Sequence, residues 1–329
     1  MEPARHRPKL FPPPEFPPRK KAIFSRMPPA VFPAILGFVG LGLAMRRGLS
    51  SHGFDATPAD LLLAMACALW AFASFAYLVK LSRRAGVLAE DLRVLPGRNG
   101  LAAATMGGMA VAAALVPVAP HAAAILLVVS LLVHTALTVF SALMACRLSP
   151  EARPVDPGWH LRFVGFIVGA IAAIGLGWAA LANALLWLTI PLAVAIWAAS
   201  AHQFRHAAPP APLRPLLAIH LSPAALFATV AAMLGHDGVA TGFLALGTLL
   251  LLALLASARW ITAAGFTPLW GAFTFPLAAY ASALFANGLI WAGTALFLAG
   301  AVIIPAILWK TLTLWAAGSL AAKTNAAEA

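Results

Sequence analysis

The side chains able to do chemistry are few in this sequence. Of 329 residues only 10 are Asp or Glu. Each of them, Glu2, Glu15, Asp55, Asp60, Glu90, Asp91, Glu151, Asp156, Asp237 and Glu328, falls in a stretch that reads as a tail, a loop or the edge of an apolar segment. Ion-coupled carriers keep ionisable groups inside the membrane despite their cost, because the coupling ion must bind something there. The lack of such a group at mid-depth points to passive flow. It also favours anions over cations, since no acidic ring is available to attract a cation.

Histidine is the next candidate, because an imidazole can titrate, ligate a metal or hold a haem. His134 and His220 fall within apolar segments, but His134 is near the middle of its segment and His220 only a few residues from an end. That mismatch in depth argues against a bis-histidine haem. It leaves His220 as a packed neutral ring or as a polar contact near the inner mouth of a pathway. His202 and His206 stand four apart, a spacing that can share one helix face, yet no third ligand lies nearby, so the pair reads as a solvated helix end. Cys67 and Cys146 lie in apolar stretches without metal-ligand spacing and read as small buried hydrophobes. The run GFVGLG (37–42) sits inside an apolar segment with no strand before it, so it fails the context test of a dinucleotide loop. GFIVG (165–169) is a small-xxx-small spacing suited to helix packing. No metal, cofactor or enzymatic activity is expected from these residues.

The elements that carry them must lie in a membrane. Hydrophobic residues make up 62% of the chain and charged residues 10%, with a mean hydropathy of +0.90, more apolar surface than a soluble domain can bury. A spanning helix needs about 20 mainly apolar residues, each rising about 1.5 Å across a core of roughly 30 Å. Such stretches recur almost end to end and leave no room for a separate soluble domain. The formal charge of +12 would suggest nucleic acid in a soluble protein. Here the basic residues sit in loops on one side, so the expected partner is the lipid bilayer and not nucleic acid.

The pattern predicts an all-α integral membrane protein with ten spans, near 27–46, 59–80, 100–119, 121–146, 162–181, 183–201, 213–235, 238–257, 268–287 and 289–309. Residues 1–26 form a basic, proline-rich tail too poor in apolar residues to fold alone, 27–310 the transmembrane domain, and 311–329 a short C-terminal tail. The first span ends at Arg46 and Arg47 without a small-residue cleavage site, unlike a signal peptide. Arg83, Arg84, Arg93, Arg98, Arg147, Arg153, Arg205 and Arg259 all follow even-numbered spans. The positive-inside rule then places both termini in the cytosol of a bacterium-like inner membrane.

The spans also alternate in composition. Even-numbered ones such as FLALGTLLLLALLA (243–256) are leucine-rich, whereas odd-numbered ones carry Gly37, Gly40 and Gly42, Gly107 and Gly108, or Gly165 and Gly169. Pro223 and Pro276 fall inside spans seven and nine, where proline frees a backbone carbonyl and bends the axis. Small residues let helices approach, and freed backbone is tolerated only against protein or a watery cavity. The expectation is five hairpins, odd helices inside and even helices outside, around a central pathway.

The segments PPAVFPAILGFVGLGLA (28–44), RPLLAIHLSPAALF (214–227) and LWGAFTFPLAAYASALF (269–285) resemble the tellurite-resistance and C4-dicarboxylate transporter family, which includes bacterial TehA and the plant slow-type anion channels. The resemblance covers roughly residues 27 to 310. It implies a quasi-fivefold central pore lined by the odd helices, assembly as a homotrimer, and a phenylalanine on the ninth helix that blocks the pore. By the A-F-T-F pattern that gate is Phe275, with Phe273 its neighbour; Pro276 stands where some relatives have glycine. Phe32, Pro33, Gly37, Gly107, Gly169, His220, Pro223, Phe273 and Pro276 are the candidates to line or bend the pathway. The implied function is passage of small inorganic or organic anions, extending to oxyanions such as tellurite. Coupled export of a C4-dicarboxylate or sulfite is the alternative, and a membrane haem protein or enzyme a remote one.

Overall fold

The computed structural model describes residues 22–146 and 155–329. The proline-rich stretch through residue 21, and Arg147, Glu151 and Arg153 of the charge argument, lie outside the described residues. Those described form helices without a strand: α1 (Phe32–Ser51), α2 (Thr57–Arg83), α3 (Val87–Arg93), α4 (Leu95–Leu115), α5 (Pro120–Cys146), α6 (Ile167–Gly175), α7 (Ala179–His206), α8 (Leu221–Met233), α9 (Asp237–Ala256), α10 (Ala258–Ile261), α11 (Gly271–Ala286), α12 (Ile290–Ala316) and α13 (Ser319–Lys323). Tighter turns of 3-10 helix precede α1, α8 and α11, and a π turn, His160–Val164, leads into α6.

Eight of these helical segments are long and apolar enough to cross a membrane. Each coincides with an expected span. The remaining two spans correspond to α4, which begins earlier than expected and takes in Arg98, and to His160–Gly175, a shorter apolar helix.

Burial separates the helices into two sets. Within Pro29–Ser51, Ala211–Met233 and Pro268–Ala286 the most apolar stretches are 78%, 78% and 72% buried, against 11% to 33% for α2, α5, α7, α9 and α12. The leucines and aromatics of the second set, such as Leu132, Leu252 and Trp291, face outward. In water that would be an aggregating surface, and in lipid it is the favoured one. The small residues explain the first set, since a side chain at Gly37 would overlap Thr274 of α11, its Cβ only 2.2 Å from that of the threonine.

Four buried helices turn into exposed ones by the same device. Gly53, Gly177, Gly235 and Gly288 all have φ between 72° and 77°, a left-handed conformation in which a Cβ is strained. At each, the next residue's N–H reaches back to close the helix end: Phe54 to Leu49, Trp178 to Ala173, His236 to Ala231 and Leu289 to Leu284, at 2.7–2.9 Å. The α4–α5 connection has Pro117 and Pro120 instead.

Several expectations change. Pro223 does not interrupt a long helix; it is the third residue of α8, just where the 3-10 turn Ala211–His220 gives way to α-helix. Prolines inside helices are not confined to the buried set, since Pro191 and Pro305 lie within α7 and α12. The last long helix continues past residue 309 to Ala316. Asp91, read as a loop carboxylate, is fully buried and paired to Lys80 at 2.7 Å. At the chain's other end the Ala329 N–H donates to the Ser25 carbonyl, so both described ends share one face.

Candidate functional site

Five helical segments enclose the molecule's interior. α1 packs on α11, α11 on α8, α8 on α6, α6 on α4, and α4 again on α1, a closed circuit. Two small cavities lie inside it. One, of about 30 Å³, is bordered by Pro33 and Leu36 of α1, Asn99 and Ala103 of α4, Leu161, Ser222 of α8, and Ala272 of α11. The other, of about 20 Å³, is bordered by Gly40 and Leu43, Ala110, Val168, Thr229 and Ser282. Phe275 borders both. Each has room for roughly one or two waters.

The lining residues recur three or four apart, for example Ser222, Leu226 and Thr229, or Ala272, Phe275, Ala279 and Ser282. That spacing draws one stripe along a helix face, so the two cavities follow the same helix faces, and Phe275 belongs to the lining of each. The ring is 6% exposed. Its place is fixed from both sides in sequence. The Thr274 hydroxyl donates to the Gly271 carbonyl at 2.7 Å and lies 3.0 Å from the Pro33 carbonyl of α1, and behind it Pro276 has no N–H to give the Ala272 carbonyl. Gly40 provides the space beside the ring, since a Cβ there would lie 3.2 Å from the Phe275 Cδ2.

The other expected residues divide. Pro33 and Pro276 border the first cavity. Pro223 borders a smaller one, of about 10 Å³, together with Met106 and His160. Phe273 lies on the opposite side of α11, in a groove with Leu255 and Ile303. Phe32 is buried in the core. Gly37 faces Thr274, Gly107 faces the Trp70 indole, and Gly169 faces Leu127 and Leu131, so all three serve contact between helices and border neither cavity. The His220 Nδ1 lies 3.0 Å from the His160 Nε2, and His220 borders an outward groove beside Trp197. His134 packs with its Nδ1 2.6 Å from the Thr105 hydroxyl.

Gly40, Asn99, Ser222, Thr229 and Ser282 are the lining residues that sequence reasoning passed over as pathway candidates. Their one available signal was the helical stripe of small and hydroxylated residues, which needs the phase of each helix to be known. Among the described residues, no charged side chain borders either cavity. Charges gather at the rim instead, where Arg98 and Arg162 share Asp156 at 3.2 and 3.5 Å. On the same face the Arg84 guanidinium is bonded to Glu90 and holds that carboxyl below its ordinary range.

These features define a multi-pass helical membrane protein whose buried helices enclose a line of small, uncharged cavities. A family comparison gives the rest. Residues 26–318 match the voltage-dependent anion channel family, and the chain belongs to it, as the segments 28–44, 214–227 and 269–285 implied. Anion channel or transporter activity is the function of that family. Comparison with curated proteins gives no match.

Proposed function

We propose that this protein passes small monovalent anions down their gradient along the line of cavities, and that Phe275 is the gate. Ten helices cross the membrane as five hairpins in a quasi-fivefold arrangement, with α1, α4, the His160–Gly175 segment, Ala211–Met233 and α11 around the pathway. The subunits assemble as a homotrimer in the inner membrane, with both termini cytosolic. Residues 27–310 make up this channel domain.

The observation that supports the reading is that one aromatic residue, Phe275, borders both cavities, whose linings follow the same helix faces. An anion crossing there must shed water against an apolar edge, so the closed state conducts little. The absence of charge along the cavities favours weak, non-selective passage among small anions over tight binding.

The test is Phe275→Ala in planar bilayers. Chloride and nitrate currents are expected to rise by about one to several orders of magnitude, on the scale of the removed dehydration barrier, with the fold retained. Phe273→Ala, on the far side of α11, is expected to leave the current near the parent's. A folded Phe275→Ala protein with parental currents would overturn the gate, and currents that follow a proton gradient would favour coupled export.

A further inference from the structure

We infer that Arg47 is an anion-attracting residue at the end of the pathway opposite the described chain ends. The inference rests on the pathway reading above and adds a binding residue to it. Leu36 borders the first cavity, Gly40 and Leu43 the second, and Arg47 is the next residue of that stripe, about 6 Å further along α1 at 1.5 Å per residue. On α8 the stripe runs from Ser222 through Leu226 and Thr229, and its next member is Met233. The two stripes meet, since Arg47 Nη2 lies 3.3 Å from Met233 Sδ.

That contact locates the guanidinium. Within the closed circuit α1 lies beside α4 and α11, and α8 beside α6 and α11, so α1 and α8 are not consecutive. A side chain of α1 that touches α8 reaches across the interior. Arg47 therefore lies over the end of the cavity line and not on the lipid side.

Its charge is free to act. Among the described residues no carboxylate lies within ion-pairing distance of Arg47, whereas the adjacent Arg46 is bonded to Asp60 at 2.7 Å and to the Ala114 carbonyl at 3.0 Å. A thioether is a weak acceptor and leaves the guanidinium uncompensated. An unpaired cation between low-dielectric walls concentrates counter-ions at the opening, and a guanidinium is only weakly hydrated. It can thus take a chloride or a small oxyanion such as nitrate directly, ahead of the Phe275 constriction.

The experiment uses Phe275→Ala as the conducting background, so that the ring does not limit the current. Adding Arg47→Gln is expected to lower chloride current at least about threefold at 10 mM salt and by less than about 1.5-fold at 1 M, because the screening length falls from roughly 30 Å to 3 Å. Arg47→Lys keeps most of the low-salt current. Arg46→Gln removes an equal but already paired charge and has a much smaller effect. A low-salt current unchanged by Arg47→Gln, or a loss equal at both salt concentrations, overturns the inference and leaves Arg47 as a packing residue. If Arg47→Gln does not fold, Arg47→Cys modified after reconstitution with cationic or anionic thiol reagents, in a Cys67→Ser, Cys146→Ser chain, gives the same comparison. Equal currents with the two reagents again overturn it. Failure of the Phe275→Ala background itself to conduct strikes the pathway reading and not Arg47 in particular.

Discussion

At the scale of single residues, contact between α1 and α11 decides where Phe275 can be. Thr274 precedes it and fills the notch left by Gly37. A Cβ at Gly37 would lie 2.2 Å from the Thr274 Cβ and 2.8 Å from its backbone carbonyl carbon, and backbone cannot rotate away as a side chain end can. Gly37→Ala is therefore expected to destabilise the protein by about 1–3 kcal/mol through overpacking, read as a lower thermal midpoint in detergent. Gly37→Ala, Thr274→Gly, which removes the Cβ that the added methyl would meet, is expected to recover part of that loss. An unchanged midpoint in the single variant would mean that the helices part freely, and the anchoring of Phe275 would fall with it. Both residues were singled out from the sequence, Phe275 by the A-F-T-F pattern of the family resemblance and Gly37 by the glycine-rich first span. The faces they present were not. α11 is apolar nearly all round, so no hydrophobic stripe marks its phase, and only packing assigns Thr274 to α1, Phe275 to the cavities and Phe273 to the outer groove.

At the scale of elements, the face that carries both described ends is tied by one buried knot. Lys80 of α2 donates to the Asp91 carboxylate of α3 at 2.7 Å and to the Met27 carbonyl at 3.0 Å. The same carboxylate accepts from the Tyr77 hydroxyl at 3.1 Å and from the Ala327 N–H at 2.8 Å. Four segments thus converge on two fully buried charges, and removing one charge leaves the other uncompensated. Lys80→Met is expected to cost about 3–5 kcal/mol, whereas Lys80→Met, Asp91→Leu recovers most of it, since a buried pair is often replaceable by apolar groups. Thermal unfolding of the three proteins is the measurement, and equal midpoints for single and double variants would remove the knot. The sequence could not disclose it. Asp91 lies in a connection that reads as a loop, and its third partner is 236 residues away. The eight long apolar segments were legible because length and hydropathy are local properties, while the short, π-to-α form of His160–Gly175 was not, because where a helix tightens or widens depends on the neighbours that cover it.

At the scale of the whole molecule, the proposed orientation rests on the charges of the two faces. The face with the described chain ends carries Arg83, Arg84, Arg93, Arg98, Arg205, Arg259 and Lys323, whereas the opposite one carries Arg46 and Arg47 together with Asp55, Asp60 and Asp237. Because Arg46 is paired with Asp60, Arg47 is, among the described residues, the cation left unpaired there, and the proposed orientation, which follows the positive-inside rule, makes the arginine-rich face cytosolic. Two exposed positions report the result. Gly238 lies in the first turn of α9 on the face assigned to the outside, where an added side chain meets nothing within 4 Å, and Arg259 lies on α10 at the other. In a chain with Cys67→Ser and Cys146→Ser, a membrane-impermeant thiol reagent applied to intact cells should label Gly238→Cys at once. Arg259→Cys should react only after permeabilisation. The reverse pattern would invert the molecule while leaving its cavities in place. Arg47 would then draw anions from the cytosol, and the same residue that concentrates ions for uptake would concentrate them for release. Labelling of these two positions therefore decides which compartment's anions meet the guanidinium before they meet Phe275.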